Sequence, residues 1–156
     1  MNERIVDNTS VFPAKILLFG EYGIISGNSG LAVPYTSFGG RLRMEHTVSE
    51  TDDQLNSVQS IRRLYHYLKM NEPDFSFVDL AQMDSDLENG LWFDSDIPNG
   101  YGLGSSGALV AALYSKYNTD NCSELLCVKK RLAAIEGFFH GASSGVDPSL
   151  AFFKQP

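Results

Sequence analysis

The sequence has no excess of positive charge: 12 Lys and Arg residues stand against 19 Asp and Glu residues, which leaves a net charge of −7. Nonspecific binding to nucleic acid depends on cations that neutralise phosphates, so this balance argues against a nucleic-acid partner. A phosphorylated ligand would have to be held by local groups, such as backbone amides, a few placed cations or a metal ion.

Long apolar runs are also missing. The longest one, residues 108–114, is far shorter than the ~20 residues that a membrane-spanning helix needs. The first ten residues, MNERIVDNTS, contain no apolar segment of the kind found in signal peptides. We therefore expect no membrane partner and a cytoplasmic location.

The sequence has only two cysteines, Cys122 and Cys127, in a segment that we predict to begin a helix. Residues five positions apart on a helix lie on different faces, so a disulfide between them is not expected. Their spacing matches no metal-binding motif, and no histidine is close to them in the sequence. We therefore expect two free thiols in a reducing compartment.

The composition, 43% hydrophobic and 20% charged, is that of an ordinary folded domain, and 156 residues suffice for one domain with a substantial core. Strands and helices are predicted in mixed order without regular strand–helix–strand alternation, which favours an α+β fold over a doubly wound sheet. The predicted strands are residues 11–19, 36–48, 75–78, 91–97 and 150–153, and the predicted helices are 51–70, 80–87, 107–117 and 123–139. Helix 107–117 is apolar on nearly all sides, so we expect it to be buried.

The strongest local motif is PNGYGLGSSG at residues 98–107, between a predicted strand and a predicted helix. Its four glycines and two serines allow the backbone to approach a ligand closely and to point amides at it. The helix that follows adds the positive end of its dipole, so the motif predicts a phosphate-binding loop. It is not a P-loop, because the GK[ST] ending is absent. The alternative is a flexible loop that caps the helix.

Two further features contain chemically useful side chains. Lys15 lies inside an otherwise apolar strand, where a buried cation needs a negative partner such as a phosphate; the alternative is a lysine at an exposed strand edge. Asp147 lies in the glycine- and serine-rich segment HGASSGVDP, where a carboxylate can accept a proton from a substrate hydroxyl. Glu136, eleven residues earlier, can hold Mg²⁺. Taken singly, Asp147 could be a turn former and Glu136 a solvated helix residue.

In order and spacing, these three features resemble the GHMP kinases. That family has a P-x-K strand motif, a central P-x-x-x-G-L-G-S-S-[AG] loop and, in the mevalonate and sugar kinase branches, an S-G-x-D loop; here they are residues 13–15, 98–107 and 144–147. The stretch KILLFGEY is most similar to the mevalonate kinase version of the first motif. The resemblance implies the ribosomal protein S5 domain 2-like α+β fold, with residues 1–156 forming the N-terminal domain and the family's C-terminal GHMP domain absent.

The resemblance also implies residue roles. Asp147 corresponds to the catalytic base, Lys15 to the lysine that lowers the pKa of the acceptor hydroxyl, and Ser106 and Glu136 to the Mg²⁺ ligands. The residues assigned to ATP binding are Pro98, Gly100, Gly102, Leu103, Gly104, Ser105, Ser106 and Gly107. Glu21, Tyr22 and Asp147 are expected near the substrate. Tyr22 replaces a histidine common in mevalonate kinases, and Gly107 replaces an alanine, which should be tolerated.

The implied function is an ATP- and Mg²⁺-dependent kinase that phosphorylates a small hydroxyl compound, mevalonate or a relative, in isoprenoid biosynthesis. The alternatives are a sugar kinase of the same family, or an inactive or split half-domain that needs a second chain. The predicted strand 150–153 ends the chain without a partner strand. We therefore expect self-association or pairing with a missing C-terminal half.

Overall fold

The computed structural model describes residues 10–20, 30–45, 51–120 and 122–155, and over these residues the fold is α+β. In chain order the elements are β1 (Phe12–Phe19), β2 (Leu31–Met44), α1 (Asp52–Met70), a 3₁₀ helix (Glu72–Phe75), α2 (Leu80–Glu88), β3 (Leu91–Ser95), α3 (Ser105–Tyr117), α4 (Leu125–His140) and α5 (Val146–Phe153). Within the described ranges, no helix is both long and apolar enough to cross a membrane.

The three strands form one antiparallel sheet with β2 in the middle. Leu31 at the start of β2 lies opposite Phe19 at the end of β1, and residues 40–44 of β2 pair with β3. Strand β2 therefore begins five residues before the strand predicted from residue 36, because residues 31–33 also pair with β1. The predictions for β1 and β3 are confirmed to within two residues.

Helix α3 packs against β1, β2, α4 and α5, at the centre of the domain. Every residue from Gly107 to Tyr114 is buried, which confirms the burial expected from its apolar sequence. Helix α1 covers β3 and α2 with an apolar face that includes Ile61, Leu64 and Leu68. The hydroxyl of Thr51 caps α1 by accepting a hydrogen bond from the Gln54 backbone N–H at 3.4 Å.

Two predicted strands are wrong. Residues 150–153 end helix α5, which begins at Val146 after Gly145 with its φ of 72° and has Asp147 and Pro148 in its first turn. Four consecutive apolar residues do not distinguish a strand from a buried helix. Residues 75–78 contain the end of the 3₁₀ helix and a turn, since Pro73 sets the first turn of that helix, and Val78 forms an isolated bridge with Asn118.

The two cysteines form a disulfide, so the prediction of free thiols is also wrong. The Cα atoms of Cys122 and Cys127 are 6.6 Å apart, within the range that a disulfide can bridge. Cys122 precedes α4, which begins at Leu125, so the two cysteines are not both helical. Helix geometry therefore does not hold the two cysteines on different faces.

Candidate active site

Strand β1 brings a lysine to the edge of the core. Phe12 and Ala14 are buried, and the following residue, Lys15, is half-buried and extends its side chain toward α5. Its Nζ lies 3.2 Å from Oδ1 of Asp147, and the two side chains are 13% and 33% exposed respectively. A lysine in an apolar strand requires a negative partner, and here that partner is the carboxylate of Asp147. This carboxylate is still accessible to solvent.

The glycine loop lies directly against this ion pair. The backbone N–H of Lys15 donates to the carbonyl of Leu103 at 2.9 Å, which ties the loop to β1. Gly104 starts α3 with a φ of 77°, and a Cβ there would be 2.8 Å from Lys15 Cγ. A Cβ on Gly100 or Gly102 would meet no atom within 4 Å. Within the described residues no side chain caps α3, so its first amides remain available to an anion.

Asp147 is held in place by two close backbone approaches. Gly145 has a φ of 72°, and a Cβ on it would be 2.6 Å from the carbonyl oxygen of Lys129, so the start of α5 lies tightly against α4. On the other side, a Cβ on Gly107 would be 2.8 Å from Asp147 Cβ and 3.0 Å from Pro148 N. These contacts place the carboxylate beside the first turn of α3, next to the expected phosphate site.

Glu136 lies in the last turns of α4 and is only 3% exposed. Burial raises the pKa of its carboxyl group to about 7, because the charged form loses its hydration. The hydroxyl of Ser143 donates a hydrogen bond to Oε2 and lowers this pKa, the charge of Asp147 raises it, and Lys15 lowers it. Glu136 therefore belongs to the same electrostatic group as the ion pair.

Ser106, the other expected Mg²⁺ ligand, lies in the first turn of α3. Its Oγ is 3.0 Å from Nε2 of His140, the last residue of α4. His140 is four residues after Glu136, so the same face of α4 presents both side chains. This contact links the end of α4 to the start of the glycine-loop helix.

The donor set fits Mg²⁺. Ser106 and Glu136 offer a hydroxyl and a carboxylate oxygen, and Mg²⁺ takes oxygen ligands, usually one or two carboxylates with phosphates and waters completing the octahedron. In the described part of the chain, no group of three or more His, Cys, Asp or Glu residues could hold a metal. A cation beside Glu136 would also favour the ionised form of that buried carboxyl.

Most of the expected site residues therefore come together. Those in contact or in electrostatic interaction around the Lys15–Asp147 pair are Leu103, Gly104, Gly107 and Glu136. Ser106 lies beside them on α3, whereas Pro98, Gly100 and Gly102 form the outer part of the loop. Glu21 and Tyr22 lie outside the described residues.

Two residues of the site, Ser143 and His140, have no role predicted from the sequence. Ser143 donates to Glu136, and His140 contacts Ser106. The helical spacing of His140 from Glu136 was a usable signal, because residues four apart share a helix face. Ser143 lies in a serine-rich segment, and nothing in the local sequence distinguishes it as a partner of Glu136.

Comparison with known proteins shows which family the chain belongs to. Residues 61–155 match the family described as GHMP kinases N terminal domain. A mevalonate kinase from Thermococcus sibiricus (strain DSM 12597 / MM 739) is 28% identical over a stretch that covers 89% of this chain and 47% of the relative. The chain thus spans about half the length of the curated relative it matches. Because the family match extends over more than half of the chain, this protein belongs to the GHMP kinase family and carries its N-terminal domain.

Proposed function

We propose that this chain is the nucleotide-binding part of an ATP- and Mg²⁺-dependent kinase that transfers the γ-phosphoryl group to a hydroxyl of mevalonate or a related small molecule. One observation carries the proposal. Lys15 Nζ and Asp147 Oδ1 lie 3.2 Å apart beside Gly104, where the uncapped amides of α3 begin. Phosphoryl transfer requires a proton acceptor, a cation and a group that binds anions. Asp147, Lys15 and the N-terminus of α3 bring these three together.

In this proposal the phosphates of ATP lie on the loop 100–107, and the acceptor hydroxyl lies against Asp147. The carboxylate takes the hydroxyl proton while the hydroxyl oxygen forms a bond to the γ-phosphorus. The bond from the γ-phosphorus to the bridging oxygen breaks, and ADP leaves with that oxygen. Lys15 stabilises the negative charge that develops during transfer, and catalysis rests mainly on positioning and charge neutralisation.

Ser106 and Glu136 would hold the Mg²⁺ ion that accompanies the nucleotide. When bound, the ion neutralises charge on the phosphate oxygens. Glu136 contributes a carboxylate in a dry environment, where its attraction for a cation is little screened by water. Ser143 orients that carboxylate by donating to Oε2.

The resemblance and the relative support a more specific proposal for the acceptor and the fold. The mevalonate kinase of Thermococcus sibiricus supports mevalonate as the first acceptor to test. The three-stranded antiparallel sheet with its helices supports the ribosomal protein S5 domain 2-like fold. Glu21 and Tyr22 are proposed near the acceptor because they follow β1 directly.

The test is acceptor-dependent ADP formation by the protein expressed from its complete gene, with MgATP and either mevalonate, galactose or homoserine. We expect the highest rate with mevalonate. A preference for galactose would instead identify a sugar kinase of the same family. If MgATP is bound but no acceptor is phosphorylated, the chain is an inactive or split domain and the proposed activity is wrong.

A further inference from the structure

His140 occupies a position to which the proposed chemistry assigns no role. It ends α4, and Gly141 follows with a φ of 76°, its N–H donating to the carbonyl of Gly137 at 2.7 Å. This helix end holds the imidazole so that Nε2 lies 3.0 Å from Ser106 Oγ. The hydrogen bond joins two elements that are 34 residues apart in the sequence.

The direction of this hydrogen bond determines what Ser106 can bind. A serine hydroxyl has one proton to donate and two lone pairs that accept or ligate. If the hydroxyl proton points to His140 Nε2, both lone pairs of Oγ remain free for a cation. If it points elsewhere, the oxygen presents its proton to the ligand site, where it competes with a cation.

From this geometry we propose that His140 is a positioning residue that accepts the Ser106 proton at Nε2 and keeps the Oγ lone pairs available to Mg²⁺. This inference rests on the proposed function of the site, because it concerns the metal that accompanies the nucleotide. It assigns the imidazole proton to Nδ1, the tautomer in which Nε2 is an acceptor. Removing a group that orients a metal ligand in this way typically lowers metal affinity by about 10–100-fold.

The competing explanation is a surface hydrogen bond with no effect on the ligand. Both explanations predict that loss of the bond changes the stability of the fold little, because His140 is exposed. They differ in what happens to a metal–nucleotide complex. Only a positioning role makes the affinity for ADP depend on His140 when Mg²⁺ is present and not when it is absent.

The experiment measures ADP affinity by calorimetry, with Mg²⁺ and separately with EDTA, for the protein expressed from its complete gene. We expect His140→Asn to weaken MgADP binding by about 10–100-fold and to leave metal-free ADP binding unchanged. His140→Gln should restore most of the affinity, because its amide oxygen reaches about as far as Nε2. Thermal unfolding of both variants should match that of the wild type.

A double-mutant cycle with Ser106→Ala separates an indirect role from a direct one. If His140 acts through the Ser106 hydroxyl, His140→Asn has no further effect on MgADP affinity once that hydroxyl is gone. A full additional loss in the Ser106→Ala background would show direct ligand contact and overturn the inference. If His140→Asn binds MgADP as tightly as the wild type does, the inference is overturned and the proposed function remains intact. A wild-type protein that binds no ADP under either condition would overturn both.

Discussion

At the scale of single residues, Asp147 is the group on which the proposed transfer depends. Asp147→Asn keeps the shape of the side chain and removes the proton acceptor, so we expect turnover to fall by about 10²–10⁴-fold. MgADP affinity should be unchanged, because the amides that we propose to bind the phosphates belong to α3. Lys15→Met should also reduce turnover, through lost stabilisation of the developing charge.

The measurement is steady-state ADP formation together with calorimetric MgADP binding. Asp94→Asn is the matched control, because Asp94 is also an ion-paired aspartate, bound to Arg43 on the sheet at 2.6 Å. It should leave turnover unchanged. Wild-type turnover in Asp147→Asn would remove Asp147 from the mechanism.

Gly107 permits the close approach of α3 to Asp147. A Cβ there would lie 2.8 Å from Asp147 Cβ and 2.9 Å from its carbonyl carbon, so the backbone of α5 would have to move. We expect Gly107→Ala to lower the free energy of unfolding by about 1–3 kcal/mol, as overpacking typically does. Turnover should fall as well, because the carboxylate that we propose as the catalytic base would be displaced.

Gly137→Ala provides the contrast, measured by urea denaturation alongside Gly107→Ala. Gly137 is a helical glycine of α4 at which a Cβ meets no atom within 4 Å. Alanine there should stabilise the protein by about 0.5–1 kcal/mol, because it restricts the unfolded chain. Equal stabilities for the two variants would show that the space at Gly107 does not matter.

Glu136 makes stability depend on pH in an identifiable direction. Its pKa rises from 4.5 in the unfolded chain to about 7 in the folded protein, so the folded state binds the proton more tightly. Stability from this group is fully present below pH 4.5 and is lost as the pH rises to about 7. The loss is on the order of 3 kcal/mol, because each pKa unit corresponds to about 1.4 kcal/mol.

Glu136→Gln should abolish this contribution to the pH dependence of stability, because an amide does not titrate over this pH range. The measurement is the free energy of unfolding in urea at pH 5 and pH 8, with EDTA to exclude metals. The control is Glu88→Gln, whose parent side chain is 73% exposed. Parallel pH dependence in the wild type and Glu136→Gln would contradict the pKa assigned to Glu136.

At the scale of elements, the sequence predicted the helices and strands that have a clear hydrophobic period or clear boundary residues. Helix α1 has Thr51 as its cap, Asp52 and Asp53 in its first turn and an apolar face, and it was predicted almost to the residue. Helix α5 is short and its apolar residues are consecutive, so its type depends on packing against α3, where Phe152 meets Tyr114 edge to face. Only the fold reveals that environment.

The candidate site was predictable to a similar extent. The motifs singled out Lys15 and Asp147 because a buried lysine and a carboxylate in a glycine-rich segment are chemically unusual. The contact between His140 and Ser106 could not be predicted, because it depends on how two helices approach each other. The disulfide was missed because Cys122 was treated as part of the helix that contains Cys127, whereas it lies before α4.

The loop proposed to bind phosphate, residues 98–107, gives a prediction at the element scale. Gly104 has a φ of 77°, so alanine there costs about 1–2 kcal/mol of backbone energy and also presses on the Lys15 side chain. We expect Gly104→Ala to weaken binding of tripolyphosphate, measured by calorimetry. Gly100 has a similar φ of 81°, but a Cβ there would meet no atom within 4 Å. Gly100→Ala should therefore weaken tripolyphosphate binding less. Equal losses in the two variants would show that the contact with Lys15 is irrelevant to the loop.

At the scale of the whole molecule, the net charge of −7 repels a nucleotide at long range. The proposed affinity for ATP would therefore come from short-range groups, namely the amides of α3, Lys15 and the metal. The expected self-association rested on residues 150–153 as an unpaired strand. Since these residues are helical and satisfy their own backbone hydrogen bonds, that reason no longer holds.

The chain spans about half of the mevalonate kinase that it matches, and we propose that the complete catalytic site needs residues that correspond to the other half. The 156 residues alone should bind MgATP, because the loop, Lys15 and Glu136 all lie within them. Their turnover with mevalonate should not exceed that of their own Asp147→Asn variant, because Asp147 is 33% exposed and water competes with the acceptor. The measurements are ADP formation and the mass in solution by light scattering. A monomer of this length with turnover in the usual enzyme range of about 1–10³ s⁻¹ would show that these residues suffice.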